Sequence, residues 1–267
     1  MFEIFEQGFL VRGFLAGLLI SISAALIGTA LVLRRNAMIG DGLSHVGFSA
    51  FAVATVLNFA PLEFALPVVI IMSFLILRLN NQSKIQPDAA IAMVSAGALA
   101  LGTFVISITR GVNTDINNYL FGSILSISEN DLILCVIFSI FVIGIFLACY
   151  NKIFALTFDE EFARSIGIKT NLYNAVFAIL CSIVVVLGMR LMGALLISSL
   201  IIFPTMSAMQ VVKSFRKVII VSILVSVSCF IVGMMASYGL STPTGSTIVL
   251  VNVLVFMLLK MMAWVRK

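Results

Sequence analysis

Across 267 residues the sequence carries one histidine, four cysteines and eleven carboxylates, and charged residues make up only 10% of it. With a single histidine, no H-E-x-x-H zinc-protease motif can exist. No G-x-x-x-x-G-K-S/T phosphate loop occurs, and no glycine is followed by lysine, so this chain is not expected to hydrolyse ATP. A serine hydrolase built on His45 would need its nucleophile beside the imidazole, and the adjacent Ser44 projects elsewhere on a helix. An enzyme is therefore not expected. Cys135, Cys149, Cys181 and Cys229 stand singly in apolar runs, without C-x-x-C or Cys–His spacing. They read as packing residues, not as a thiolate metal site. Glu3 and Glu6 occupy the place of a basic leader cluster, and the first apolar run is too long for a signal-peptide core. No removable signal is expected.

What fills the sequence instead is apolar: 62% of its residues are hydrophobic, and the mean hydropathy is +1.22. A soluble core of this size cannot bury so much apolar surface, so the bilayer is the solvent. Runs nearly free of charge cover Gly13 to Leu33, Val46 to Leu62, Ala89 to Thr109 and Leu132 to Asn151. Others cover Thr170 to Met189, Leu191 to Val212 and Val218 to Leu259. Most reach the roughly 20 residues that a spanning helix needs. The last is about twice that length, and Gly239, Pro243 and Gly245 mark a turn that divides it. Phe64 to Leu77 is short, so it is tilted, buried among other helices or partly inserted. The expected fold is all-α, one polytopic transmembrane bundle of eight or nine spans across residues 1–267.

The basic residues orient it. Thirteen of the sixteen fall at Arg34, Arg35, Arg78, Lys84, Lys152, Arg164, Lys169, Lys213, Arg216, Lys217, Lys260, Arg266 and Lys267. All of these share one side of a nine-span topology, leaving Arg12, Arg110 and Arg190 on the other. The positive-inside rule makes the rich side cytoplasmic, the N-terminus outside and the C-terminus inside. The net charge of +5 thus reports topology, and no nucleic-acid partner is implied.

Asp41 and His45 lie four residues apart in Gly-Asp-Gly-Leu-Ser-His and share a helical face. A carboxylate and an imidazole so placed can reach one metal ion, and ionisable groups at membrane depth commonly mark a pathway. They can equally pair with each other and pack a polar seam. Two ligands do not make a site, but two copies facing each other would supply four. Asp159, Glu160 and Glu161 open a short polar helix, where acids favour the positive dipole end. Ala163 keeps one face slim, and Gly167 suits the exit. This stretch, Thr157 to Lys169, is either a solvated loop helix or a docking element. Pro204 interrupts the seventh span among Ser198, Ser199, Thr205 and Ser207, as a static kink or a moving gate. Ile116 to Ser128 is amphiphilic and too short to span, which suits a re-entrant or interfacial helix on the outer side.

The run RRNAMIGDGLSHVGFSA resembles the signature of the permeases in the zinc/manganese/iron branch of ABC importers. PDAAIAM, YLFGSILSISENDL, FDEEFARSIGI and STPTGSTIVL resemble four further family segments in the same order. The resemblance implies a homodimer of permeases in a bacterial inner membrane, two separate ABC ATPase subunits that use the ATP, and an extracytoplasmic metal-binding protein. The cargo it implies is Zn2+, with Mn2+ or Fe2+ as the other candidates, and no permanently bound cofactor. It further implies that Asp41 and His45 line the metal path. Asp159, Glu160, Ala163 and Gly167 become positions of the ATPase-coupling helix. Ser241, Pro243 and Gly245 become the outer turn. Three departures stand out: Gly42 in place of Ala, Phe48-Ser49-Ala50 in place of Leu-Pro-Gly, and Ser241 in place of an acid that would help receive the metal. A gradient-driven secondary transporter is the alternative, but no repeat relates the two halves and Asp41 is the one clear acid within a span. A structural membrane subunit would have no use for Asp41 and His45.

Overall fold

The computed structural model describes residues 8–82, 87–109, 122 and 129–265. The helices are α1 (Gly8–Leu33), α2 (Met38–Val56), α3 (Pro61–Gln82), α4 (Pro87–Ile108), α5 (Glu129–Ala148) and α6 (Tyr150–Phe158). They continue with α7 (Glu160–Ser165), α8 (Thr170–Met192), α9 (Ala194–Val211), α10 (Phe215–Leu240) and α11 (Thr244–Val265). Eight of the described helices are long and apolar enough to cross a membrane, and α3 supplies a shorter apolar stretch, Pro61–Leu77. The all-α bundle expected from the apolar runs is what forms.

Burial separates the helices into two groups. Most of the spanning stretches of α1, α8 and α9 are buried inside the protein, whereas those of α4 and α11 are almost wholly on its surface. The surface ones present Met93, Phe104, Leu250 and Leu254 outward, as a lipid-facing helix must. α3 buries one face through Ala65, Val69, Ser73 and Ile76 while Ile71 and Leu75 point out, and it packs on α2 and α8. One face of this short segment is thus buried against its neighbours.

Several boundaries differ from the apolar runs. α2 begins at Met38 and not Val46, because the polar Asp41 and His45 break the hydropathy run without breaking the helix. The run from Leu132 to Asn151 divides at Cys149, and its tail joins a separate helix, α6. The long last run turns at Ser241, Thr242 and Pro243. There the left-handed conformation belongs to Ser241 (φ 52°), while Gly239 and Gly245 sit inside the flanking helices. A non-glycine residue in this region costs roughly 1–2 kcal/mol. It is held by Thr242 N–H donating to the Ser237 carbonyl at 3.1 Å and Ser237 Oγ donating to the Thr242 carbonyl at 2.6 Å. Arg35 (φ 60°) and Asn58 (φ 56°) end α1 and α2 in the same way.

Ion pairs fix which helix ends lie together. Arg12 reaches Glu129 at 3.3 Å, and Arg190 Nε meets Asp131 Oδ1 at 3.0 Å. Two of the three arginines on the basic-poor side are thus neutralised by the acids that open α5. At the opposite end, Phe154 and Phe158 pack on Phe215 with ring centroids 5.1 and 5.9 Å away, fastening α6 to the start of α10. The expected interfacial helix, Ile116 to Ser128, lies outside the described residues except for Gly122, which sits against Met192 and Gly193.

Candidate functional site

α2 carries the candidate site one to two turns from its start. Four-residue spacing stacks Asp41 below His45, and Asp41 Oδ2 lies 3.7 Å from His45 Nε2. That separation exceeds a hydrogen bond, so the two groups face each other without being clamped. Donor atoms sharing a tetrahedral zinc at ~2.0–2.1 Å each would stand about 3.4 Å apart, a few tenths of an ångström closer than here. The side chains are 37% and 22% exposed for Asp41 and His45 respectively, which leaves them open on one side. His45 Nδ1, by contrast, is buried without a hydrogen-bond partner. Among the described residues no group of three or more His, Cys, Asp or Glu side chains comes together to hold a metal. One copy of the chain therefore brings two candidate ligands to the place.

Neighbouring contacts position this helix. Ser44 Oγ donates to the Asp41 carbonyl at 2.7 Å and lies 3.4 Å from Ser198 Oγ on α9. Ser198 Oγ donates in turn to the Ala194 carbonyl at 3.1 Å. Further along α9, Thr205 Oγ1 lies 3.1 Å from Ser222 Oγ on α10 and 3.4 Å from Thr29 Oγ1 on α1. Pro204 thus sits in a helix tied by hydroxyls to three others. Ser199 and Ser207 hydroxyls are buried there with no partner. The departures from the family pattern are accommodated locally. A Cβ at Gly42 would stand 2.8 Å from Ile91 Cγ2, so α4 occupies the space that Ala would need. Phe48 is fully buried, and Gly102 on α4 makes room for it, since a Cβ there would come within 2.7 Å of its ring.

The second candidate element is α7. Asp159 caps it, accepting from Phe162 N–H at 2.8 Å, which satisfies one of the orphan donors of the first turn. At its exit Gly167 (φ 84°) takes the left-handed position. Ile168 N–H donates to the Ala163 carbonyl at 3.0 Å and Gly167 N–H to Arg164 at 3.1 Å, the paired bonds of a Schellman motif. Ala163 is completely buried. Asp159, Ala163 and Gly167 therefore shape and seat this helix. Its outward side belongs to residues that a reading of charge alone passes over: Phe162 is 57% exposed and Ile166 56%, with Phe158 beside them. Glu160 turns to Asn174, whose Nδ2 donates to Oε1 at 3.1 Å, and lies 3.7 Å from Arg164. At the α10–α11 turn Thr242 Oγ1 meets Thr247 Oγ1 at 2.8 Å, and Ser246 Oγ donates to the Pro243 carbonyl at 3.0 Å. The residues of this turn are remote in sequence from the Asp41–His45 pair.

Residues 6–263 match the family described as the ABC 3 transport family. The chain is 32% identical over 242 residues to the high-affinity zinc uptake system membrane protein ZnuB of Buchnera aphidicola, covering 89% of this chain and 91% of that one. It is 28% identical over 262 residues to the manganese import system permease protein ScaB of Streptococcus gordonii, covering 96% and 94%. The structure of PsaBC from Streptococcus pneumoniae in complex with Fab superposes with a TM-score of 0.85 at 24% identity, over 96% of this chain and 94% of that chain. That likeness is one of fold.

Proposed function

Because this chain belongs to the ABC 3 transport family, we propose that it is the permease subunit of an importer that carries a divalent transition metal into the cytoplasm. Two copies face each other around the path, two separate ATPase chains dock beneath them on α7, and an extracytoplasmic binding protein delivers the ion from above. The N-terminus lies outside and the C-terminus in the cytoplasm of a bacterial inner membrane. This orientation puts the end that collects Arg34, Lys152, Arg164 and Lys213 inside, as the positive-inside rule requires.

The observation that carries the metal reading is the Asp41–His45 pair, unclamped at 3.7 Å and set in the second helix of the bundle. One oxygen and one nitrogen per copy give a four-ligand set across the dimer, which suits zinc first and manganese or iron after it. Relatives named for zinc uptake and for manganese import support the same range. Asp41 holds charge toward the ion, His45 supplies the nitrogen, and Ser44 ties their helix to α9, so that bending at Pro204 reaches the site. Pro204, Ser198 and Ser199 are accordingly the gate region, and the turn at Ser241 and Pro243, with Gly245 at the start of α11, faces the binding protein.

Cargo identity is read from competition. In cells expressing the complete system, unlabelled zinc is expected to displace radiolabelled zinc at lower concentrations than manganese or ferrous iron. Displacement by manganese at the lower concentration would reassign the cargo.

A further inference from the structure

Arg34 closes α1 at the basic end of the bundle and belongs to neither the Asp41–His45 pair nor the exposed side of α7. Its Nη1 donates to Asn174 Oδ1 on α8 at 3.1 Å, and the same amide donates through Nδ2 to Glu160 Oε1 on α7 at 3.1 Å. The guanidinium lies over the Phe177 ring, 4.8 Å from its centroid. Its Nε and Nη2 are buried with no hydrogen-bond partner. Burial pushes this group down to about 10, with the Glu160 carboxylate partly offsetting the effect, so it stays charged at neutral pH.

A buried cation with two unsatisfied donors is a costly choice, because each desolvated polar group loses its water without a replacement. An exposed lysine would mark the topology equally well. What the arginine provides is a connection. Residue 34 at the end of α1 and residue 160 on α7 meet on one amide at the start of α8, whose oxygen faces the cation and whose nitrogen faces the anion. From Arg34 the path to the metal pair is short and stiff. Arg35 holds the left-handed turn, Asn36 N–H donates to the Leu31 carbonyl at 2.9 Å, and Ile39 N–H donates to the Asn36 carbonyl at 3.1 Å. Asp41 follows within the first turn of α2.

We propose that Arg34, Asn174 and Glu160 form the link through which displacement of α7 is passed to the α1–α2 turn and so to Asp41 and His45. The link rests on reading α7 as the ATPase-docking element. Asn174 is its positioning residue, since the amide alone matches both partners. Aspartate at this position would bind Arg34 more strongly and repel Glu160, holding one half of the link and breaking the other.

The test is made in proteoliposomes that contain the permease with its ATPase and binding protein, by counting radiolabelled zinc ions moved per ATP hydrolysed. N174A is expected to keep the ATPase bound and to lower the ratio about tenfold, within the span that coupling substitutions reach. N174D is expected to do the same, although its contact with Arg34 is preserved. A wild-type ratio in N174D would show that Asn174 merely satisfies Arg34, and would overturn the link. A lowered melting temperature with an unchanged ratio in either variant would do so too. Should N174A fail to assemble, N174D decides alone. Failure of the docking reading is separately visible: if Phe162→Asp leaves the ATPase bound, α7 is not the docking element, whatever the Asn174 variants do.

Discussion

Replacing Asp41 or His45 by alanine will lower metal uptake by about 100-fold or more, because changes even to groups behind metal ligands cost 10–100-fold. The fold should survive both changes. Neither side chain fills the core, and their mutual separation of 3.7 Å is too long for a strong bond to be lost. Asp41→Asn keeps the shape of the side chain and removes its charge, so it should lie close to Asp41→Ala in uptake and close to wild type in stability. The paired readouts are radiometal uptake by cells and the melting temperature of the purified permease. Loss of uptake together with collapse of the fold would make the pair a packing element. Normal uptake in both alanine variants would remove the site from α2 altogether.

The second large effect lies at α7. Phe162→Asp is expected to release the ATPase subunit, weakening the complex by at least about 2 kcal/mol, or about 30-fold, as loss of an aromatic anchor does. Phe162 stands out of α7 while the neighbouring Ala163 is fully buried, so the aromatic ring, and not the small residue, is what a partner meets. The substitution spares the helix, because an acid in its first turns remains favourable to the dipole and the Asp159 cap uses the backbone N–H of residue 162. Co-purification of the ATPase with tagged permease reads the effect directly. An unchanged complex would move the docking surface elsewhere.

How far these features were legible depends on their range along the chain. The spans were plain, because a lipid solvent demands about twenty apolar residues whatever the neighbours are. The start of α2 was not. Its polar residues lowered the hydropathy, and only the packing of Gly42 against Ile91 and of Phe48 against Gly102 shows why that stretch stays helical inside the bundle. α6 is hidden in the sequence because Tyr150 and Asn151 carry no charge, so the apolar run that begins at Leu132 continues past the break at Cys149. Gly239, Pro243 and Gly245 mark the last turn in the sequence, yet its left-handed residue is Ser241. Proline located the turn, and the glycines flanking it misdirected its detail.

At the sites, the Asp41–His45 pair could be found because it is local: the chain's one histidine stands one helical turn from an acid. Asp159 and Gly167 were legible for the same reason, since caps are written within a few residues of a helix end. The Arg34–Asn174–Glu160 link joins positions 140 and 14 residues apart, and no periodicity announces such a meeting. Phe162 escaped notice because an apolar residue in a polar stretch looks inward until its exposure is known.

On the proposed function, ATP held by partner subunits drives metal through this permease. Uptake of radiolabelled zinc and manganese into proteoliposomes containing the permease, its ATPase and its binding protein tests it most directly. The expected result is uptake that requires ATP and persists after ionophores collapse the proton and sodium gradients. Uptake that proceeds without ATP and stops when those gradients collapse would contradict it, and would make the chain a gradient-driven carrier.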